Sequence, residues 1–446
     1  MARVKPQTLS GFMELLPEKQ VVFDLMSARI RSSFELYGFT PLDTPIIESS
    51  EVLLAKAGGE TEKQIYRFAK GEHDLALRFD LTVPLAKYVA ANYGRLQFPF
   101  RRYQIGKVYR GERAQRGRFR EFYQCDIDII GDGELGIMNE AEIPSVIYST
   151  FKSLGLEGFV IRLNNRKVLN GLFAILGVSD DSAEVMRTID KLDKIGRDET
   201  RRLLGELSIG NNAEKLLDIL AAEAPVEALE AFSGQNETFD KGLEELKAVT
   251  AHLAAFGVPE THYAVDLTIA RGLDYYTGTV YETLVTAHPE IGSVCSGGRY
   301  DNLAEYYTDK KLPGVGISIG LTRLFFVLDD VGLLNAEVQS APCDVLIIPM
   351  TGDFSPAVAL ATAMREAGLR TQLYTEDKKF KAKMSYADRL GVPFVALLGE
   401  DEIAAGKITV KNMKTGEQTT AKAGMLTEGI RERIAAARDT KPIREI

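Results

Sequence analysis

Residues 101–131 place two kinds of chemistry on one short stretch of chain, with arginines first and aspartates after them. Between Arg101 and Glu121 there are eight basic and two acidic residues, although the whole chain has a net charge of −9. Arginine guanidinium groups match phosphate oxygens in geometry and charge, and carboxylates suit an ammonium group or an imidazole N–H. The stretch therefore predicts a ligand that is anionic at one end and cationic at the other.

Two strand-like runs in this stretch flank a polar turn near Ala114–Gly117, which predicts a β-hairpin. Alternate residues of a strand share a face, so the second run has one largely apolar face for the core and one polar face. An aromatic ring at the centre of the polar face could stack on a purine. The alternative is a solvated face with cross-strand salt bridges. The polar face consists of Arg118, Arg120, Phe122, Gln124, Asp126 and Asp128.

Three shorter segments add polar groups next to glycines or apolar residues. Residues 77–82 (LRFDLT) carry an acid and a hydroxyl, and residues 270–278 (ARGLDYYTG) combine an arginine, glycines and two tyrosines. Residues 295–301 (CSGGRYD) have paired glycines that suit backbone packing close to a ligand. No G-x-x-x-x-G-K-[ST] phosphate loop and no dinucleotide-binding G-x-G-x-x-G pattern occurs. A bound nucleotide must therefore be held in another way.

The composition excludes several classes of protein. Hydrophobic residues make up 45% of the 446 residues, which favours a globular protein with a large core. No apolar run is long enough for a membrane helix, and the N-terminus does not resemble a signal peptide. The three cysteines lie far apart and the four histidines form no cluster, so a disulfide framework or a metal site held by protein alone is not expected. We expect a cytoplasmic protein.

The order of predicted elements divides the chain into a strand-rich block, a helical insertion, and a smaller C-terminal domain. A helix should begin near Pro17 and end at Gly38. We predict one domain over residues 1–335 with a helical insertion at about 166–256, and a second domain over residues 341–446. Strands and helices alternate in the second domain, which predicts an α/β fold with a largely parallel sheet. An independent helical domain in series is the alternative for the insertion.

These motifs together resemble the histidyl-tRNA synthetase family over nearly the whole chain. YGFTPLDTPIIES with Pro45, the hairpin with Arg110, and GVGISIGLTRLF with Arg323 resemble the three signatures of class II aminoacyl-tRNA synthetases. RGLDYYTGTVYE and CSGGRYDNL resemble the two histidine-specific motifs of the family. The resemblance implies an α+β fold, with a six-stranded antiparallel catalytic sheet, a helical insertion and a C-terminal α/β anticodon-binding domain. It also implies a homodimer, with tRNA(His), L-histidine and ATP as the binding partners.

The resemblance assigns catalytic and histidine-binding roles position by position. The catalytic residues are Arg110 and Arg271, which would contact the α-phosphate of ATP from opposite sides. Asp128 and Tyr276 would bind the imidazole ring, and the acid and hydroxyl of LRFDLT would bind the α-ammonium group together with Gln124. The residues expected to bind histidine are Asp80, Thr82, Gln124, Asp128, Arg271, Tyr275 and Tyr276.

The resemblance assigns a second set of residues to ATP. Phe122 would stack on adenine with Arg323 on its other side, and Arg113 and Arg118 would hold the outer phosphates. Mg²⁺ would be bound through the phosphates of ATP. The residues expected to bind ATP are Arg110, Glu112, Arg113, Arg118, Phe122 and Arg323.

Two positions depart from the pattern of many bacterial members. Asp80 and Asp128 stand where those members have glutamate. The shorter side chain requires a compensating group in the pocket. The alternative function is that of a catalytically inactive relative, the regulatory subunit of ATP phosphoribosyltransferase. Such relatives typically lack the C-terminal domain and the arginine of RGLDYY, and this chain has both. Synthetases for threonine, proline or glycine are disfavoured by the two histidine-specific motifs.

Overall fold

The structure is a computed structural model. It describes residues 3–55, 60–178, 181–269, 275–335, 338, 340–438 and 440–443. The chain forms two compact units, one centred on residues 26–334 and one on residues 335–442 together with residues 15–25.

The N-terminal segment contains a long helix and a small antiparallel sheet. The predicted helix is present and ends two residues before Gly38, which has a positive φ of 74°. The small sheet has the order β2-β4-β3, and the helix that follows it carries Thr82 as its first residue. The elements are α1 (Pro17–Leu36), β1 (Thr40–Pro41), β2 (Ile47–Ser49), α2 (Ser50–Leu54), α3 (Glu60–Gln64), β3 (Arg67–Lys70), β4 (His73–Leu77) and α4 (Thr82–Asn92).

The predicted hairpin is present, and its two strands are paired along their whole length. It is formed by β5 (Phe100–Tyr109) and β6 (Glu121–Ile130), followed by α5 (Met138–Leu154) and β7 (Phe159–Asn165). The strand β6 begins only at Glu121, so the predicted alternation does not extend back to Arg118 and Arg120. The guanidinium of Arg120 turns away and donates to the backbone oxygen of Glu112 at 3.0 Å. The prediction that Arg120 shares the polar face of the strand was therefore wrong.

Six helices follow β7 and have a hydrophobic core of their own. Two glycines allow close packing of the first and last of these helices. A side chain at Gly171 would collide with the backbone of Phe239, and one at Gly242 with the backbone of Val168, each at 2.5 Å. The helices are α6 (Arg166–Ile175), α7 (Ser182–Ile189), α8 (Leu192–Gly205), α9 (Ala213–Leu220), α10 (Pro225–Glu230) and α11 (Glu237–Leu253).

The chain then returns to the large sheet with four strands and one helix. The elements are β8 (Tyr263–Val265), β9 (Thr279–Val285), β10 (Cys295–Tyr300), β11 (Gly314–Gly320) and α12 (Leu321–Asp330). The sheet has eight strands in the order β1-β5-β6-β11-β10-β9-β7-β8. The inner six strands are antiparallel, and the short edge strands β1 and β8 pair in parallel with their neighbours. The predicted α+β fold with an antiparallel sheet is confirmed.

The second unit has a five-stranded sheet in the order β13-β12-β14-β15-β16. The first three strands of this order are parallel, as predicted, whereas β15 and β16 form an antiparallel hairpin that the sequence pattern did not indicate. Among the described residues, no helix has both the length and the apolar character needed to cross a membrane. The elements are β12 (Val345–Pro349), α13 (Ser355–Glu366), β13 (Thr371–Leu373), α14 (Phe380–Arg389), β14 (Phe394–Leu398), α15 (Glu400–Ala405), β15 (Lys407–Asn412), β16 (Gln418–Lys422) and α16 (Ala423–Arg438).

Candidate active site

Two adjacent cavities lie over the polar face of β6. One has a volume of about 300 Å³ and the other of about 340 Å³. Their linings share Arg110 and Gln124, so the cavities meet at the start of the polar face. The first cavity, the arginine cavity, is lined in part by Arg110, Glu112, Arg118, Phe122 and Arg323. The second cavity, the aspartate cavity, is lined in part by Asp80, Thr82, Gln124, Asp126, Asp128, Tyr275 and Tyr276.

The arginine cavity brings together an aromatic ring and two arginines that come from different elements. Phe122 lies on β6, Arg118 on the hairpin connection and Arg323 on α12. Burial lowers the pKa of Arg323, and the positive charge of Arg118 lowers it further. Two guanidinium groups that repel each other in a partly desolvated cavity favour an anionic ligand. Glu112 offsets part of this charge, since its carboxylate lies 3.8 Å from Arg118.

The guanidinium of Arg110 lies close to two aromatic rings at the junction of the cavities. Its guanidinium carbon lies 4.3 Å from the ring centroid of Phe79 and 5.1 Å from that of Phe122. Its Nε donates to the backbone oxygen of Phe79 at 3.3 Å. These contacts restrict the side chain before any ligand arrives. The Nη groups can then point into both cavities, where a phosphate and a carboxylate could meet.

Asp80 and Thr82 are adjacent because the aspartate caps the helix α4. Its Oδ1 accepts from the backbone N–H groups of Thr82 at 3.2 Å and Val83 at 2.9 Å. Asp80 is 5% exposed, and burial raises its pKa, although the two backbone donors and Arg110 oppose that shift. The helix terminus thereby fixes Oδ1 of Asp80, whose side chain also lines the aspartate cavity.

Asp128 is held by groups of the protein itself at the deep end of the aspartate cavity. Its Oδ1 accepts from the hydroxyl of Tyr300 at 2.6 Å. Its Oδ2 lies 2.6 Å from Nη2 of Arg102, in an ion pair whose angles are not those of a hydrogen bond. Burial raises the pKa of Asp128 to about 6, against the effects of Arg102 and Tyr300. A side chain at Gly316 would collide with Oδ1 at 2.3 Å, so glycine there makes room for this carboxylate.

Asp126 is a residue of the cavity to which sequence analysis gave no role. Its cross-strand neighbour on β11 is Ser318, which lowers the pKa of Asp126 and whose hydroxyl accepts from Nε2 of Gln124 at 2.7 Å. Burial raises the pKa of Asp126 to about 7, and the neighbouring Asp128 adds to this rise. The sequence did contain a signal, because Asp126 lies midway between two predicted histidine-binding residues on one strand face.

Tyr275 and Tyr276 both line the aspartate cavity, with ring centroids 5.0 Å apart in an edge-to-face arrangement. The next residue, Thr277, ties them to the end of β10, because its hydroxyl donates to Asp301 at 2.5 Å. Arg271 lies outside the described residues. Arg113 is exposed on the hairpin connection and lines neither of the two cavities.

Comparison with known families supports the arrangement of motifs. A family model described as histidyl-tRNA synthetase matches residues 11–324, and one described as an anticodon binding domain matches residues 344–433. The chain belongs to the histidyl-tRNA synthetase family. A relative from Clostridium tetani named histidine–tRNA ligase is 55% identical, and the match covers 93% of this chain and 95% of the relative. The resemblance inferred from the motifs is thus confirmed.

Solved structures of the family have the same fold. The crystal structure of histidyl-tRNA synthetase from Nostoc sp. PCC 7120 superposes with a TM-score of 0.88 at 38% identity, covering 97% of this chain and all of that one. A structure from Bacillus halodurans, named an ATP phosphoribosyltransferase regulatory subunit/histidyl-tRNA synthetase, has a TM-score of 0.72 at 21% identity. It covers 89% of this chain and 98% of its own, and this likeness concerns the fold alone.

Proposed function

We propose that the protein is a histidine–tRNA ligase. It activates L-histidine with ATP to form histidyl-adenylate and pyrophosphate, and then transfers histidine to the 3′ end of tRNA(His). The family model over residues 11–324 and the 55% identity to a named histidine–tRNA ligase support this proposal.

The observation that carries the proposal is the meeting of two cavities of opposite character at Arg110. The arginine cavity suits the triphosphate and adenine of ATP, and the aspartate cavity suits the ammonium group and imidazole of histidine. The carboxylate of histidine and the α-phosphate of ATP are the groups that must react. Only at the shared boundary of the cavities can both lie against one guanidinium.

The first step needs no nucleophile from the protein, because the histidine carboxylate itself attacks the α-phosphorus in line. Catalysis comes from positioning the two substrates and from stabilising the charge of the pentavalent transition state. Arg110 contacts the α-phosphate and the histidine carboxylate, and its contacts with the rings of Phe79 and Phe122 keep it aligned. Arg271 is proposed to contact the α-phosphate from the opposite side.

The remaining ATP contacts follow from the lining of the arginine cavity. Phe122 and Arg323 hold adenine between them, and Arg118, with Arg113 and Glu112 on the same connection, lies near the outer phosphates. Mg²⁺ neutralises the outer phosphates and is bound mainly through them. Within the described part of the chain, no group of three His, Cys, Asp or Glu side chains is placed to bind a metal.

Histidine contacts follow from the lining of the aspartate cavity. Asp80, Thr82 and Gln124 are proposed to bind the α-ammonium group, and Asp128 and Tyr276 the imidazole, with Tyr275 supporting Tyr276. A cavity that hydrogen-bonds a ring N–H rejects amino acids that lack it, since its buried acceptors would then be left without partners.

The wider assembly is proposed from the family as well. Residues 1–335 form the catalytic domain with its insertion at about 166–256, and residues 341–446 bind the anticodon of tRNA(His), in line with the family match at 344–433. The protein works as a homodimer in the cytoplasm, and the segment around Pro45 contributes to the dimer contact.

Two assays test the function. Pyrophosphate exchange with ATP, measured with each amino acid in turn, should depend on histidine alone. Aminoacylation of total tRNA should then label only tRNA(His). A catalytically inactive regulatory subunit would bind histidine but exchange no pyrophosphate, and that result would reject the proposal.

A further inference from the structure

The three aspartates of the aspartate cavity differ in how much of each carboxylate is available to a ligand. The fourth carboxylate of the lining, that of Glu282, lies 3.4 Å from Arg162 in an ion pair. Asp80 has one oxygen occupied by the backbone of α4. Asp128 has one oxygen bonded to Tyr300 and the other paired with Arg102. Asp126 is only 2% exposed, yet its Oδ1 has no hydrogen-bond partner. A buried acceptor without a partner is costly and uncommon, so it points to a group that arrives with the ligand.

The register of the sheet places Asp126 in the middle of the cavity. It lies between Gln104 on β5 and Ser318 on β11, and Ser296 on β10 continues the same row. Gln124 and Asp128 are two residues away on either side, a distance of about 7 Å each along the strand. A histidine whose carboxylate lies at the Arg110 end extends along this face, so its ring passes Asp126 before reaching Asp128.

The charges around Asp126 are unbalanced towards negative. Asp128 on β6 and Asp80 before α4 face it, and Tyr276 lies close to all three carboxylates. Two buried cations face these carboxylates. Arg102 on β5 is already paired with Asp128 at 2.6 Å, and Arg110, which interacts with both Asp80 and Asp126, lies at the junction with the arginine cavity. Ser318 contributes a hydroxyl and no charge. A hydrogen-bond donor supplied by the ligand would therefore stabilise the carboxylate of Asp126.

We infer that Asp126 accepts a hydrogen bond from a ring N–H of histidine and is a specificity-determining residue of this site. Asp128, anchored by Arg102 and Tyr300, shapes the deep end of the pocket, and Asp126 supplies the available oxygen. Asp126 is thus the compensating group that an aspartate, one carbon shorter than glutamate, requires at position 128. The inference rests on the proposed function, because it takes histidine to be the amino-acid substrate.

The test compares histidine with imidazole-4-propionate, which has the ring and the carboxylate but no α-amino group. Asp126→Ala should raise the KM for histidine in pyrophosphate exchange at least tenfold and leave the KM for ATP within twofold. Binding of both compounds, measured by calorimetry, should weaken by similar factors. Asp80→Asn is the matched control, because it should weaken histidine binding much more than imidazole-4-propionate binding.

The stability of the variant separates this role from a structural one. Removal of a buried carboxylate that has an unpartnered oxygen and two acidic neighbours should not lower the melting temperature of the ligand-free protein. Ile127→Val, on the opposite face of β6, should change neither KM. Asp126→Asn, which keeps the shape of the side chain, serves as a second variant, with losses smaller than those of the alanine variant.

The outcomes separate the two proposals. An unchanged affinity for imidazole-4-propionate in Asp126→Ala would overturn the inference, even if the KM for histidine rose, because the contact would then be to the ammonium group. A KM for histidine within twofold of wild type would overturn it as well. Absence of histidine-dependent exchange in the wild-type protein would instead reject the proposed function, and calorimetry would still report whether Asp126 contacts the ring.

Discussion

Replacement of Arg102 by methionine should make the stability of the catalytic sheet depend on pH. Arg102 is fully buried and forms an ion pair with Asp128 at 2.6 Å. The methionine side chain is apolar and of similar length. Loss of one partner of a buried pair typically costs roughly 3–5 kcal/mol, because the other charge stays buried alone. Protonation of Asp128 limits that cost, since the neutral acid needs no partner.

The limit can be worked out from the pKa of about 6 that burial gives Asp128 in the presence of Arg102. Keeping a group protonated above its pKa costs about 1.4 kcal/mol of free energy for each pH unit. Through Asp128 alone, the Arg102→Met variant should therefore lose roughly 1 kcal/mol relative to wild type at pH 7 and roughly 3 kcal/mol at pH 8.5. Near pH 6 the two proteins should differ little.

The direction of the pH dependence follows from the linkage between proton binding and folding. Without Arg102, the folded-state pKa of Asp128 rises further above its unfolded value, so the variant folds with more protons bound than wild type. Stability is then retained at low pH and is lost as pH rises through the window above about 6. The double variant Arg102→Met, Asp128→Asn should lose the part of this pH dependence that comes from Asp128. The part that comes from Asp126, whose pKa Arg102 also lowers, should remain.

Hydrogen exchange of the β6 amides, compared between variant and wild type at each pH, measures this difference without requiring the whole chain to unfold in one step. A loss of about 1.4 kcal/mol corresponds to roughly tenfold faster exchange. A deficit of the same size at pH 6 and pH 8.5 would refute the reasoning, and so would a full pH dependence in the double variant.

The other predictions concern the substrates. Asp128→Asn should raise the KM for histidine roughly tenfold or more, since the pocket loses its anchored acid, while the KM for ATP changes little; equal effects on both constants would contradict this. Arg271→Ala should lower the rate of adenylate formation by roughly 10²–10³, and Arg271→Lys should also be slow because lysine has no planar fork. Pyrophosphate exchange within a few-fold of wild type would reject that role. Phe122→Ala should raise the KM for ATP by roughly 5–100-fold through lost stacking, whereas Phe122→Tyr should retain it; a similar KM in both variants would count against stacking.

Much of the site could be predicted because strand alternation is a strong local signal. Phe122, Gln124 and Asp128 lie on one face of β6, and the structure places all three in the linings of the two cavities. The antiparallel sheet was implied by the family resemblance, whereas the hairpin, like the polar face of β6, was predictable from apolar and polar alternation. These features depend on residues close together in the chain, which is where sequence patterns are most reliable.

The features of the site that could not be predicted depend on contacts between residues far apart in the chain. No pattern around Arg102 indicates that it is buried against Asp128, because the pair is formed across two strands. Arg120 was placed on the wrong face because β6 begins only at Glu121, and the residues before it belong to the hairpin connection. Asp126 was given no role because its position on the strand face was visible in the sequence, whereas the buried oxygen without a hydrogen-bond partner was visible only in the structure.

A crystal structure with a stable sulfamoyl analogue of histidyl-adenylate tests the central claim most directly. Adenine should lie against Phe122, the sulfamoyl group beside Arg110, and the imidazole over Asp126 and Asp128. An analogue bound away from the polar face of β6, or with its imidazole at the arginine end, would contradict it.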